Sequence, residues 1–149
     1  MMATWGAFAK ADADLANFGA KRFEAGIAYL ATVREDGSPR VHPVTPIIGQ
    51  GHLFVFMEPT SPKGHDLRRD GRYALHSLVS ESSVQEGEFV VSGRAVLVDN
   101  PASRAMATEA ANYTPDDRYI LFEFSVEQAL STIYEQGKPI RKRWKEKKG

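Results

Sequence analysis

Residues 27–57 read IAYLATVREDGSPRVHPVTPIIGQGHLFVFM, and this stretch decides the fold class. It contains three runs rich in β-branched and aromatic residues, a composition typical of strands. Short segments of turn-forming residues separate the runs, and turns this short join antiparallel neighbours. The predicted strands are Ile27–Val33, Val41–Ile48 and His52–Met57, and the predicted turns are Arg34–Pro39, with Asp36-Gly37 at its tip, and Gly49–Gly51.

Two prolines, Pro43 and Pro46, interrupt the second predicted strand. Proline has no backbone N–H, so two of them would leave gaps in a central ladder of hydrogen bonds. The pattern therefore predicts an edge strand, a bulge, or a backbone that faces something other than a neighbouring strand.

The rest of the chain shows the same alternation of strand-forming runs and short turns. It predicts about seven strands, joined mainly by tight turns, and three helices at the periphery. We expect one mainly β domain over residues 1–149, with an N-terminal helical segment (1–26) and a basic tail (145–149). Closing the antiparallel sheet into a small barrel would remove its exposed edges. The further predicted strands are Tyr73–Val79, Glu88–Val98, Tyr119–Val126 and, as the last, Leu130–Tyr134; the predicted helices are Trp5–Glu24, a short helix from the cap residue Thr60 or Ser61 to Asp70-Gly71, and Ala102–Asn112.

Composition excludes several classes of site and partner. The chain has no cysteine, which excludes a disulfide scaffold, a thiol nucleophile and a Cys-based metal site. No apolar run approaches the roughly 20 residues of a membrane span, and the N-terminus lacks a signal-peptide pattern, so we expect a cytoplasmic protein without a membrane partner. The formal net charge is 0, although residues 141–148 hold six of the 19 basic residues and one of the 19 acidic ones. This balance disfavours nucleic-acid binding.

One segment, Thr60-Ser61-Pro62-Lys63, has the features of an anion site. Free N–H groups and the positive end of the helix dipole lie at a helix N-terminus, where a lysine is the wrong sign for helix stability. A bound phosphate would resolve that conflict. The alternative is a capped surface helix with a solvated lysine. Arg40 could reach the same anion or be a solvated residue at a strand end.

The positions of the histidines in the sequence give little indication of a metal site. His42 could contact a ligand or act as an acid or base near neutral pH, or it could be structural. The spacings HxH and HExxH are absent, and so are the Gly-x-Ser-x-Gly, Walker and GxGxxG motifs, so no metal site is expected.

Several runs, taken in order, resemble the pyridoxamine 5′-phosphate oxidase-related FMN-binding split-barrel family. The resemblance covers roughly residues 24 to 144. A departure is Pro62, where many relatives carry arginine, and the sequence shows no counterpart of the substrate-phosphate residues of true pyridoxamine phosphate oxidases. The runs that carry it are Tyr29–Val44, Ser61-Pro62-Lys63, Leu67–His76, Leu121–Ala129 and Gly137–Trp144.

The resemblance implies a homodimer with two FMN sites at the subunit interface and a small-molecule substrate. The strand Arg40–Thr45 would run beside the flavin ring, and the phosphate would be held at the start of the short helix. The implied cofactor-binding residues are Arg40, Ser61 and Lys63 at the phosphate, Val41, His42, Val44 and Thr45 beside the ring, His76 and Ser77 on a following strand, and Arg143 and Trp144 from either subunit. His42 is the candidate catalytic acid.

Three functions remain open. The first is an FMN-dependent oxidoreductase that passes hydride between flavin and a nicotinamide or small organic substrate. The second keeps the fold and changes the ligand, since related split barrels use a deazaflavin cofactor or bind haem. The basic C-terminal residues would suit the acidic tail of deazaflavin. The third is a non-catalytic, stress-related flavin-binding protein, which Pro62 favours.

Overall fold

The computed structural model describes residues 2–80 and 86–147. Within these residues the chain forms four helices and nine strands. No helix there is long and apolar enough to cross a membrane. The elements in chain order are α1 (Trp5–Ala11), α2 (Ala13–Phe23), β1 (Ala28–Val33), β2 (Pro39–Val44), β3 (Ile47–Gly49), β4 (His52–Met57), α3 (Pro62–Arg69), β5 (Arg72–Ser77), β6 (Glu88–Val98), α4 (Pro101–Ala110), β7 (Ile120–Phe124), β8 (Gln128–Glu135) and β9 (Lys138–Lys145).

All strand pairs are antiparallel, and the main path through the sheet is β2-β1-β5-β6-β7-β4-β3. The long strand β6 pairs with β5 along one side, whereas β8 and β7 share its other side in succession. β9 extends the sheet beyond β8. The curled sheet leaves β2 without a second partner strand in the described chain, which confirms the predicted antiparallel split barrel with peripheral helices.

Strand alternation separates the two faces of the sheet. Leu30, Leu75 and Val91 occupy paired positions on β1, β5 and β6, and all three are fully buried. We call their side the inner face. The positions next to them point to the outer face, where Tyr29 is 40% exposed. The helices α1 and α2 cover the inner face through Phe8 and neighbouring aromatic residues.

The predicted helix Trp5–Glu24 is two helices, not one. Asp12 has φ −146°, so the helical backbone stops there. Its N–H still donates to the carbonyl of Phe8, and its side chain accepts from the N–H of Leu15. A short acidic side chain at this point competes for the backbone and caps a new helix.

The predicted strand Val41–Ile48 is also interrupted. It forms β2, which ends at Val44, and β3, which begins at Ile47. Pro46 lies in the link, and Pro43 lies on an edge strand, where its missing N–H costs no ladder bond on the open side.

The prediction that Leu130–Tyr134 is the last strand was wrong. β8 runs from Gln128 to Glu135, and a turn at Gln136 and Gly137 leads into β9. Both turn residues have positive φ, 50° and 76°, which is the backbone that a two-residue hairpin requires. Five of the eight β9 residues are basic, a composition that hides a strand but suits an exposed edge.

Candidate functional site

A groove of about 500 Å³ opens where β2 faces the corner between β4 and α3. Three segments form its walls: the end of β1, the first half of β2, and the turn that leads into α3. The groove brings together five of the residues predicted from the sequence, Arg40, Val41, His42, Ser61 and Lys63, and adds Arg34, Glu58, Thr60 and Pro62.

The wall on the α3 side depends on how that helix begins. Ser61 is the N-cap, and its hydroxyl accepts from the N–H of Gly64 and donates to the carbonyl of Glu58. Pro62 occupies the first turn, where its missing N–H costs nothing. This start leaves Lys63 in the first turn, facing the groove. The predicted cap is confirmed, and the Ser61 hydroxyl is already used by the protein.

Arg40 is fixed from the opposite wall. Its Nε lies 2.7 Å from Oδ2 of Asp66, a buried carboxylate on α3. Thr32 donates to the same oxygen at 2.8 Å. Arg40 is therefore not a solvated residue at a strand end, since a contact with α3 holds it.

The groove is electropositive, and this affects its titratable groups. Burial and the positive charges of Lys63 and Arg40 lower the pKa of His42. Burial lowers the pKa of Lys63, and the nearby carboxylate of Glu58 offsets part of that effect. Cations that disfavour one another are stabilised by a bound anion, so these residues fit a phosphate group.

The edge of β2 provides a second kind of contact. β2 pairs only with β1 in the described chain, so backbone N–H and C=O groups on its other side have no strand partner. Val41 is 64% exposed on this strand. A flat ligand that extends from the anion end of the groove along β2 would meet these groups.

Sequence reasoning missed several groove residues. Glu58 follows β4 and is paired with Arg118, whose Nε lies 3.0 Å from one carboxylate oxygen. Arg118 also pairs with Asp116. Arg34 and Arg40 flank the same hairpin turn, a signal that could have placed both at one end of the groove. No comparable signal connects Glu58 with Arg118, because 60 residues separate them.

The remaining predicted residues lie elsewhere. Val44 is buried in the core, and Thr45 lines a separate cavity of about 320 Å³ beside the ends of α2 and α4. His76 lies on β5, where its Nδ1 is 2.7 Å from the carbonyl of Ser77. The Ser77 hydroxyl accepts from the N–H of Phe89.

Two predicted residues lie on β9, far along the sheet from the groove. Arg143 occupies the same row of the outer face as His76, with β6 and β8 between them. Trp144 points to the inner face and packs on Phe8. The groove of one chain is thus built without β9.

Residues 2–80 and 86–147 contain no group of three or more His, Cys, Asp or Glu side chains placed to hold a metal ion.

Comparisons with solved structures match the fold. A haem-binding protein from Mycobacterium smegmatis has a TM-score of 0.64 and 17% identity, covering 83% of this chain and 56% of that one. This chain therefore spans little more than half of that protein. A Clostridium acetobutylicum protein related to general stress protein 26 of B. subtilis, of the pyridoxinephosphate oxidase family, has a TM-score of 0.63 and 17% identity, covering 85% and 90%. A NimC/NimA family protein from C. acetobutylicum has a TM-score of 0.62 and 18% identity, covering 84% and 88%.

Comparison at the level of sequence identifies the family. The search of curated proteins gave no match. The family model described as pyridoxamine 5′-phosphate oxidase matches residues 20–139, which is most of the chain. The antiparallel split barrel and the similar structures agree with that match. The chain belongs to the pyridoxamine 5′-phosphate oxidase-related split-barrel family.

Proposed function

We propose that the protein is an FMN-binding oxidoreductase of the cytoplasm, with the phosphate of FMN at the Arg40–Lys63 end of the groove. The observation that carries the proposal is a pair of cations, Arg40 and Lys63, that lies with His42 at one end of an unpaired strand edge. The phosphate of FMN matches the basic residues, and its flat ring system, which forms hydrogen bonds, matches the unpaired edge of β2.

The residues have distinct roles in this proposal. Arg40 and Lys63 bind the phosphate through their side chains, and the backbone N–H of Lys63 at the start of α3 adds a donor, since Pro62 has no N–H and that of Gly64 donates to Ser61. The open backbone of β2 orients the ring. When bound, flavin supplies the hydride chemistry. His42 is neutral at pH 7, because its pKa is lowered by burial and by the charges of Lys63 and Arg40. It is therefore free to hold or accept a proton beside a nicotinamide or small organic substrate.

Haem is the second candidate ligand. The similar M. smegmatis protein is a haem-binding protein, and His42 lines the groove as a neutral imidazole, the form that ligates iron. A deazaflavin cofactor also carries a phosphate and would occupy the same cationic end. The two cations Arg40 and Lys63 favour phosphate, so FMN is the ligand we propose first.

We also propose a second copy of the chain as the partner. A row of the outer face runs from β2 to β9 without a covering helix in the described chain. It is largely apolar; Tyr29 within the row is 40% exposed, and Val41 beside the row is 64% exposed. The register places Pro43, Tyr29, His76, Val90, Leu130 and Arg143 along this row.

The dimer would bring β9 to the site. Five strand spacings of about 4.8 Å separate Pro43 from Arg143 along the row. Arg143 and the groove thus lie at opposite edges of one sheet. The proposed contact of Arg143 with cofactor therefore requires that the cofactor be bound by the other copy.

The first test is the absorption spectrum of the purified protein, followed by titration with FMN and riboflavin. Flavin bands near roughly 375 and 450 nm support FMN, whereas one band near roughly 420 nm indicates deazaflavin or, if intense, haem. A colourless protein that fails to bind added FMN contradicts the proposal.

A substitution locates the phosphate. Lys63→Ala removes a charged partner of the phosphate, so we expect FMN affinity to fall about tenfold or more while riboflavin affinity changes little. Lys21→Ala, on the exposed surface of α2, is the matched control and should leave both affinities unchanged. Equal weakening of both ligands by Lys63→Ala would remove Lys63 from the phosphate site.

A further inference from the structure

Asp66 lies at a junction between the sheet and α3. It is 3% exposed, so almost no water reaches its carboxylate. Thr32 on β1 and Arg40 on β2 are direct cross-strand partners, and both contact it from the inner face. One carboxylate therefore joins α3 to two neighbouring strands at the edge of the groove.

The two oxygens of the Asp66 carboxylate contact different partners. Oδ2 accepts from Thr32 Oγ1 at 2.8 Å and from Arg40 Nε at 2.7 Å. Oδ1 lies 3.6 Å from Nη1 of Arg69, one turn further along α3. Burial raises the pKa of the Asp66 carboxyl. The hydrogen bonds from Arg40 and Thr32 and the charges of Arg40 and Arg69 outweigh burial, so the pKa lies below its ordinary value.

The atom by which Arg40 is held matters. Asp66 engages Nε, and the two terminal nitrogens of the guanidinium have no hydrogen-bond partner within residues 2–80 and 86–147. With Nε engaged by Asp66, the two terminal nitrogens are the donors that can bind a phosphate in a fork. Asp66 thus fixes Arg40 at Nε, while the two terminal nitrogens remain available in the groove.

We propose that Asp66 is a positioning residue that orients Arg40 toward an anionic ligand. This inference rests on the proposed function, because it names what makes that phosphate site specific. A long arginine side chain held in one orientation loses less conformational freedom when the ligand binds. The buried carboxylate also balances part of the positive charge that Arg40, Arg69 and Lys63 bring to this edge.

Asp66→Asn is the central variant. It keeps the shape of the side chain and one acceptor oxygen but removes the negative charge, so the hydrogen bond from Arg40 Nε is no longer charge-assisted. We expect FMN affinity to fall about tenfold relative to riboflavin affinity. Asp66→Glu restores the charge at a shifted position and should recover part of that ratio.

Two control variants separate positioning from packing. Thr32→Val removes the other hydrogen bond to Oδ2 and leaves the Arg40 contact, so it should lower stability without changing the ratio of the two affinities. Asp70→Asn removes a carboxylate at the end of the same helix, where it pairs with Arg72 outside the groove. It should change neither the ratio of FMN to riboflavin affinity nor the NMR signal of the Arg40 Nε–H described next.

An NMR measurement tests the contact without flavin. In ligand-free protein, the Nε–H of Arg40 should exchange slowly with solvent and give a signal that disappears in Arg40→Lys and exchanges rapidly in Asp66→Asn. Inorganic phosphate should shift this signal more in the wild type than in Asp66→Asn. In an Arg40→Lys background, Asp66→Asn should no longer alter the ratio of FMN to riboflavin affinity.

The outcomes distinguish this inference from the proposed function. Rapid exchange of the Arg40 Nε–H in the wild type, or an equal loss of FMN and riboflavin affinity in folded Asp66→Asn, would overturn the role of Asp66. If the wild type shows the protected signal and the phosphate response but binds no FMN, the positioning role stands and the cofactor assignment fails. If Asp66→Asn does not fold, the NMR signal in the wild type and in Asp66→Glu decides the matter.

Discussion

The indole ring of Trp144 and the phenyl ring of Phe8 pack with their centroids 5.0 Å apart. This contact ties the last strand of the chain to its first helix. Because side chains alternate along β9, Trp144 faces the core while its neighbour Arg143 faces the opposite side of the sheet. The basic C-terminal segment therefore begins as an anchored strand.

The first prediction concerns this anchor. Trp144→Ala should lower the free energy of unfolding by about 2 kcal/mol, less than a fully buried tryptophan costs, because Trp144 is only partly buried. Arg143→Ala, one residue away on the outer face, should change the free energy by at most about 0.5 kcal/mol. Urea unfolding followed by circular dichroism measures both. Equal effects would mean that β9 is not anchored through the indole.

A second prediction concerns the contact between α2 and the sheet. A Cβ at Gly19 would stand 2.3 Å from a ring carbon of Phe89, which is fully buried. Alanine is favoured over glycine within a helix, yet Gly19→Ala should destabilise the protein by about 1–3 kcal/mol, since overpacking outweighs propensity.

The repair of that clash provides the control. Phe89→Leu in the Gly19→Ala background should recover part of the loss, because the smaller side chain vacates the space of the ring. Thermal unfolding of the two single variants and the double variant measures the coupling. Strictly additive losses would show that the residues do not meet.

The third prediction tests the proposed dimer. Tyr29→Glu places a charge within the largely apolar outer row, so it should convert a species of twice 16.5 kDa into one of 16.5 kDa. Tyr113→Glu changes a tyrosine of similar exposure, 37%, away from that row and should leave the dimer intact. Sedimentation at micromolar concentration with cofactor present measures the masses, and a wild-type monomer would contradict the dimer.

Local patterns accounted for much of the fold and for part of the site. The alternation and turns of residues 27–57 predicted the antiparallel strands, and Ser61 with Pro62 predicted the start of α3. The prolines predicted an edge, because a missing N–H has the same consequence in any fold. Arg40 and Lys63 were placed at one anion site, and they line one groove.

Contacts between distant segments could not be predicted in the same way. Asp66 is the only acidic residue of the charged helix α3, and only the packing of α3 beneath β1 and β2 makes it the buried partner of Arg40. β9 was missed because its many basic residues are typical of a solvated tail. Its strand depends on pairing with β8, which the turn at Gln136-Gly137 sets up.

The last prediction concerns the proton on His42. Burial and the charges of Lys63 and Arg40 lower its pKa below the usual 6.5. A folded-state pKa below the unfolded one means that the contribution of His42 to stability decreases as the pH falls through 6.5. A bound phosphate offsets the two positive charges, so the pKa of His42 rises on binding and the protein takes up protons in the pH range where His42 titrates.

Calorimetry of FMN binding near pH 6, in buffers with different ionisation enthalpies, measures this uptake. His42→Gln cannot bind the proton, so the wild type should take up more protons than the variant, whose uptake comes from the phosphate and the remaining groups of the site. Riboflavin, which has no phosphate, should show no difference between the two proteins. The same uptake by wild type and variant with FMN would mean that the anion binds too far from His42 to change its charge, and the phosphate would then have to be placed outside the Arg40–Lys63 end of the groove.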